Sequence, residues 1–292
     1  MTNVKQYKGI CLGSGAACGY YMLGALHYLW SKEPEKVKDV KYFCGTSVGG
    51  LVATMLAIGY TPMELFSYIC KFDIGMVVTP TLNLKKALDT WGIVCKDTWK
   101  NYLTSMVRYK WSQLYGETTI PTYNEVYKKT GNTIICPTYK IHPDPECIYS
   151  SHLNTPELNI VDGMLMTTCI PGLFEKCEID NSLYIDGAVV DSCPVEYLLK
   201  LIEPEDKICS IRFGKPKINS IDSFADYLKR IVAVFELLQK HEGTKSSQCD
   251  NIIIKTEIGQ LTLNIDINKR LQYFNQGKLQ VQEFFYGKEK IE

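Results

Sequence analysis

Twice near its start the chain runs an apolar stretch into a cluster of glycines and then into a second apolar stretch with helical spacing. Tyr7 to Leu12 leads into Gly13-Ser14-Gly15-Ala16-Ala17-Cys18-Gly19, and Tyr20 to Trp30 then sets Leu23, Leu26 and Trp30 on one helical face. Val40 to Cys44 leads into Gly45-Thr46-Ser47-Val48-Gly49, and Leu51 to Ile58 continues as an apolar helix. Strand, tight turn and helix, repeated, leave few folds open, because parallel strands need a crossover and a helix supplies it. The expected class is α/β with a central, mostly parallel sheet. Gly9 to Trp30 and Tyr42 to Met63 carry no charged side chain and are long enough to cross a bilayer. Their glycines fit buried strand–loop–helix units instead, and no cleavable leader is expected.

The rest of the chain extends this pattern. Residues 60–130 hold Trp91, Trp99 and Trp111 and many tyrosines among lysines, and Trp99, Leu103 and Met106 keep helical spacing. This predicts a helical insertion over the sheet. Thr133–Tyr139, Leu183–Ile185, Lys207–Phe213 and Asn251–Glu257 read as strands. Ile160–Cys169 and Lys269–Phe285 read as helices, and Lys140–Asn159 as a polar loop. A stripe from Ile221 to Leu238 predicts a further helix facing the core. No repeat or linker divides the 292 residues, so one domain over 1–292 is expected.

Charge narrows the partners. Lys and Arg number 32 and Asp and Glu also 32, with no basic stripe to track a phosphate backbone, so nucleic acid is not expected. The twelve cysteines are scattered without CxxC spacing, which argues against zinc and thioredoxin-type chemistry. Cys11, Cys44, Cys136 and Cys209 lie in apolar runs, where a thiol behaves as a small hydrophobe. A reducing, cytoplasmic location is the expectation.

Gly45-Thr46-Ser47-Val48-Gly49 fits GxSxG between a strand and a helix, the setting that exposes a serine nucleophile on a tight turn. The following helix points its positive end at Ser47, where negative charge would develop. The glycine loop from Gly13 to Gly19 presents backbone N–H groups, and it lacks the lysine and the GxGxxG spacing that phosphate binding needs. A serine nucleophile needs a base. His27 falls within a helix and reads as structural, and His142 and His152 lie in a polar loop. His241 follows a plausible acid in hydrolase order but sits among Lys240 and Glu242. An aspartate is the other option. Asp186-Gly187-Ala188 ends a strand, whereas Asp162-Gly163 opens a helix and reads as a cap.

Taken together and in this order, the three elements resemble the patatin-like phospholipase family. That pattern is a glycine-rich oxyanion loop, then GxSxG, then DG[GA]. The resemblance implies a three-layer α/β/α fold and a Ser–Asp dyad without a catalytic histidine. Ser47 falls on the nucleophile and Asp186 on the base, with Gly187 and Ala188 completing the motif. Ser14, Gly15, Ala16, Cys18 and Gly19 fall on the oxyanion loop, with Val48 beside it and Gly45 and Gly49 flanking the serine. Tyr20–Leu29, Trp91–Val126 with Thr122-Tyr123-Asn124-Glu125, Thr167–Phe174 and Tyr273–Gly277 match further family segments. The chain departs from the pattern where Ser14 and Ala16 replace glycines, Cys18 replaces a cation and Ser192 stands at a common asparagine. Ala16 would be strained at positive φ.

The implied activity is hydrolysis of fatty-acyl esters, of phospholipase A, lysophospholipase or acylglycerol lipase type, with no metal or cofactor. The implied partners are a phospholipid or other acyl lipid and a transient membrane or micelle surface, met through aromatics around Trp91–Trp111. Three alternatives stay open: a Ser-His-Asp esterase using His241, a silent lipid- or partner-binding module on the same fold, and a nucleotide-binding α/β protein.

Overall fold

A computed structural model describes residues 6–71, 84–214, 227, 230–231, 234, 238–239, 242–258 and 265–287. The first strand, β1 (Tyr7–Leu12), passes through a short 3-10 turn at Ala16–Cys18 into helix α1 (Gly19–Lys32). A helical turn, α2 (Pro34–Val37), leads to β2 (Tyr42–Gly45) and α3 (Val48–Ala57). The two charge-free stretches are thus strand–turn–helix units. Among the described residues no single helix is long and apolar enough to cross a membrane.

Helices α4 (Pro62–Lys71), α5 (Leu84–Thr90), α6 (Lys96–Tyr115) and α7 (Tyr123–Thr130) follow, where the sequence predicts a helical insertion. The last is closed by a capping box: Thr122 Oγ1 accepts from Glu125 N–H, and the Glu125 carboxylate accepts from Thr122 N–H. Of the aromatics around Trp91–Trp111, Trp99 and Trp111 are core side chains, whereas Trp91 and Tyr109 are exposed.

Strand β3 (Thr133–His142) pairs with β4 (Glu146–Ser150), and helix α8 (Ile160–Thr167) comes next. The hairpin strand β4 corrects the expected loop over Lys140–Asn159. Strands β5 (Cys177–Ile179) and β6 (Ser182–Asp186) precede a 3-10 turn at Gly187–Val189, a short helix α9 (Val195–Leu199) and β7 (Lys207–Phe213). Strand β8 (Cys249–Ile254) and helix α10 (Ile267–Tyr286) complete the described chain. Most of the stripe predicted over Ile221–Leu238, and His241 itself, lie outside the described residues.

The sheet order is β5-β6-β3-β2-β1-β7-β8, with β4 also on β3. Strands β3, β2, β1, β7 and β8 are mutually parallel, while β4, β5 and β6 add antiparallel pairs. Alternate residues face two cores, as the strand period requires. Ile10, Leu12, Phe43, Ile134 and Ile211 join the large core beneath α1, α3, α6, α8 and α10. Cys11, Cys44, Ile135 and Ile208 meet Val195 and Leu198 of α9 on the other face. The result is the three-layer arrangement expected from the resemblance.

The twelve cysteines are all free. Burial pushes the Cys11 and Cys209 thiols well above the ordinary thiol range and raises Cys44 as well. Such thiols pack as small apolar groups rather than react.

Candidate active site

The site lies at the carboxyl ends of the parallel strands β1 and β2, which are neighbours in the sheet. Two loops leave that edge next to each other, one after β1 and one after β2. The second is the turn bearing Ser47. Ser47 has φ 56° and ψ −125°, a backbone conformation that a residue with a Cβ rarely adopts. It is 5% exposed, and its peptide opens α3. Thr46 N–H donates to Leu12 O at 3.1 Å, so the turn rests on the end of β1. The approach is so close that a Cβ on Gly49 would lie 2.3 Å from Leu12 O. The second glycine of GxSxG is therefore a packing requirement of the β1–α3 crossing.

The loop after β1 is strained as well. Ala16 sits at φ 41°, the left-handed region in which an alanine pays the steric penalty a glycine avoids. Gly15 is extended, and a Cβ there would stand 2.2 Å from the Phe213 ring at the end of β7. Cys18 is fully buried behind the loop, and Gly19 begins α1. Gly13 N–H donates to Ile211 O at 2.9 Å and Ser14 N–H to Ser192 O at 2.8 Å.

Asp186 reaches the same edge by a different route. Strand β3 continues past the end of β2, and β6 pairs antiparallel with that extension. Asp186 lies opposite Thr138, just beyond the level at which Cys44 of β2 pairs with Ile135. Asp186 is 2% exposed, and its Oδ1 accepts from Ala188 N–H at 2.8 Å. A Cβ on Gly187 would lie 2.1 Å from Pro137 O, so the motif needs its glycine where it turns under β3.

Ser47 and Asp186 are held by one common support, the carboxyl end of α8. Ser47 N–H donates to Thr167 Oγ1 at 3.1 Å, and that hydroxyl donates onward to Pro137 O at 2.6 Å. Asp186 N–H donates to Cys169 O at 2.9 Å. From the other side, Thr46 Oγ1 donates to Asp191 O at 2.7 Å, tying the serine turn to the segment after Asp186. Asp191 itself is mostly withdrawn from solvent. Burial lifts its carboxyl above the usual range, against hydrogen bonds from Tyr149 OH at 2.7 Å and Cys193 N–H at 3.3 Å.

In front of Ser47 lies an apolar cavity of about 140 Å³, to which Ala16, Ala17, Gly19 and Val48 also contribute. Its walls include Leu51, Trp99, Met106 and Phe174. The Trp99 indole N–H is satisfied by Thr168 Oγ1 at 3.0 Å, which leaves the ring to line the space. An apolar space of this order accepts a hydrocarbon group the size of benzene.

The other sequence-derived candidates are elsewhere. His27 is on α1 with its ring 5.5 Å from that of Phe274, and His152 stacks on Tyr127. Asp162 is in the first turn of α8, but the cap is Asn159, whose side chain accepts from Asp162 N–H; Asp162 instead pairs with Lys100 at 2.7 Å. Among the described residues no group of His, Cys, Asp and Glu could hold a metal ion. The supporting hydroxyls of Thr46 and Thr167 had no sequence signal beyond their places beside the motifs.

The family model for patatin-like phospholipase matches residues 10–199, and the chain belongs to that family. A relative described as a probable lipid hydrolase, 463L of invertebrate iridescent virus 6, is 26% identical over 283 residues, covering 94% of this chain and 87% of the relative. An uncharacterized mimivirus protein, R571, is 23% identical over 93% of this chain and 91% of its own length. Among solved structures, VipD from Legionella pneumophila superposes with a TM-score of 0.58 at 14% identity, over 96% of this chain and 66% of VipD. ExoU from the type III secretion system of Pseudomonas aeruginosa, solved with SpcU, gives 0.54 at 11% identity, over 98% of this chain and 53% of ExoU. The chain thus spans less than two thirds of either structural neighbour, and the likeness is one of fold.

Proposed function

We propose that the protein hydrolyses fatty-acyl esters of lipids, with Ser47 as nucleophile and Asp186 as its base. The observation that carries this reading is Ser47 in a strained turn at the amino end of α3, opening onto an apolar cavity and sharing its support with a buried aspartate. A buried polar side chain at a strained turn has no packing role that alanine would not fill better. Membership of the patatin-like family and the lipid-hydrolase relative support the same chemistry.

In the proposed reaction Asp186 accepts the Ser47 hydroxyl proton as Oγ attacks the ester carbonyl, whose carbon becomes tetrahedral. The N–H groups of Gly15, Ala16 and Val48 hold the resulting oxyanion, helped by the positive end of α3. The alcohol portion leaves with the proton from Asp186, and the acyl chain stays on Ser47 with its tail in the cavity. Asp186 then takes a proton from water, the resulting hydroxide attacks the acyl-enzyme, and the fatty acid departs as Ser47 recovers its proton. Each oxyanion donor of this kind contributes roughly 2.7–4 kcal/mol to the barrier reduction. No step calls for a metal or cofactor.

Release of fatty acid from mixed phospholipid micelles, measured for wild type beside Ser47→Ala, tests the proposal. Turnover in wild type that disappears in the variant is the expected result. Equal signals from the two proteins would remove Ser47 from the chemistry. A folded wild type silent on phospholipid, lysolipid and acylglycerol esters would favour a lipid-binding module.

A further inference from the structure

We propose that Gln239 is a positioning residue for this hydrolysis, an inference that rests on the Ser47–Asp186 reading above. Its single amide spans the segment that follows Asp186. Gln239 Nε2 donates to Ala188 O at 2.6 Å, and Gln239 Oε1 accepts from Ser192 N–H at 2.7 Å. The two residues it joins are those through which the segment reaches the rest of the site. Ala188 supplies the N–H that holds Asp186 Oδ1 at 2.8 Å. Ser192 supplies the carbonyl that accepts from Ser14 N–H at 2.8 Å, the first residue of the candidate oxyanion loop. Between them, Asp191 O accepts from Thr46 Oγ1 beside the nucleophile.

One side chain therefore closes a loop whose contacts set the place of the base, the serine turn and the oxyanion donors together. An amide suits the task because it offers a donor and an acceptor in one rigid plane. The residue comes from far along the chain, 51 positions from Ala188 and 47 from Ser192. It also lies outside residues 10–199, so nothing in the matched family segment supplies this clamp. Gln239 lines a polar cavity on the α9 side of the sheet and is absent from the apolar cavity at Ser47. It acts through the backbone and does not touch substrate.

Misplacing a catalytic group by about an ångström costs on the order of 100-fold in rate. Gln239→Ala in the full chain is therefore expected to lower kcat on a water-soluble short-chain p-nitrophenyl ester about 10- to 100-fold, with KM within about twofold, because the reacting geometry loosens while the apolar cavity is untouched. Amide hydrogen exchange in the peptides covering 186–193 and 12–16 should quicken, with that of β7 and α10 unchanged.

A second variant separates positioning from simple stability. Gln239→Glu keeps the acceptor for Ser192 N–H, but it offers Ala188 O a donor only while its carboxyl is protonated. The ratio of its kcat to that of wild type should rise as pH falls from 8 toward 5. Among the described residues, the titratable groups lining its cavity are Tyr149, Asp191, Cys193 and Glu196, and none of these is basic. A Gln239→Ala protein that keeps kcat within twofold and exchange unchanged would overturn the proposal. So would a Gln239→Glu ratio that is flat with pH, or a loss of kcat matched in full by loss of folded protein. A wild type without Ser47-dependent turnover would instead sink the hydrolase reading, and the exchange measurement would still decide whether Gln239 pins the segment.

Discussion

The strain at Ser47 has a thermodynamic signature separable from its chemistry. With φ 56° and ψ −125°, the residue is held where a Cβ is unfavourable. A residue in such a region carries about 1–3 kcal/mol of strain. Ser47→Ala removes the hydroxyl and keeps the Cβ, so it keeps the strain; the side chain makes no capping hydrogen bond to α3 whose loss would complicate the comparison. Ser47→Gly removes both. Glycine also loses more chain entropy on folding, about 0.5–1 kcal/mol relative to alanine. The difference leaves Ser47→Gly more stable than Ser47→Ala by roughly 0.5–2 kcal/mol.

For 292 residues, at about 2.1 cal/mol/K of unfolding entropy per residue, the entropy is about 0.6 kcal/mol/K, and the melting temperatures should differ by about 1–3 °C. Urea titrations of the two variants, compared at a shared m-value, measure it. Both variants should be inactive. Ser47→Gly found equal to or less stable than Ser47→Ala would refute the idea that the fold stores strain at Ser47.

Ala16→Gly should raise stability by about 0.5–1 kcal/mol, since relief of a left-handed alanine outweighs the added chain entropy, and urea unfolding of the single variant checks it. Asp186→Asn should abolish Ser47-dependent ester turnover in a folded protein, whereas Asp162→Asn should keep it and lose about 0.2–1 kcal/mol with the half-exposed Lys100 pair. His241→Ala should retain activity, and its loss in that variant would restore the Ser-His-Asp alternative. Burial raises the folded-state pKa of Asp191 above its unfolded value, so its contribution favours the fold at acidic pH and is lost as pH rises through the raised value. The stability of Asp191→Asn relative to wild type should therefore increase with pH from about 4 upward and then level off, as measured by urea unfolding across that range.

What the sequence shows of this molecule follows from burial. Strands β1 and β7 are flanked by sheet on both sides, and most of their residues are buried, so they read as mainly apolar runs whose expected limits match the observed ones. Glycines mark the two turns of the site because a Cβ on Gly49 would meet Leu12 O and one on Gly15 would meet the Phe213 ring. Strand β4 was hidden. Its residues are mostly exposed or half-exposed, so Glu146 to Ser150 carries little apolar signal and is strand only because β3 overruns β2 and needs a partner. The expected helix starting at Leu51 in fact begins at Val48, since Ser47 O already accepts from Leu51 N–H. Positive φ at Ala16 was legible from the glycine pattern of the resemblance, and φ at Ser47 was not. The ties from Thr167, Asp191 and Gln239 join residues remote in sequence, and no local spacing announces such contacts.

The proposed role of Ser47 as nucleophile is open to a direct chemical test. A long-chain alkyl fluorophosphonate traps an activated serine as a stable phosphonyl adduct, with loss of fluoride, that peptide mass spectrometry can locate. One adduct per chain is expected, on the peptide containing Ser47, absent from Ser47→Gly and formed far more slowly in Asp186→Asn. An adduct on another residue, or ester turnover that persists with Ser47 unlabelled, would contradict that role.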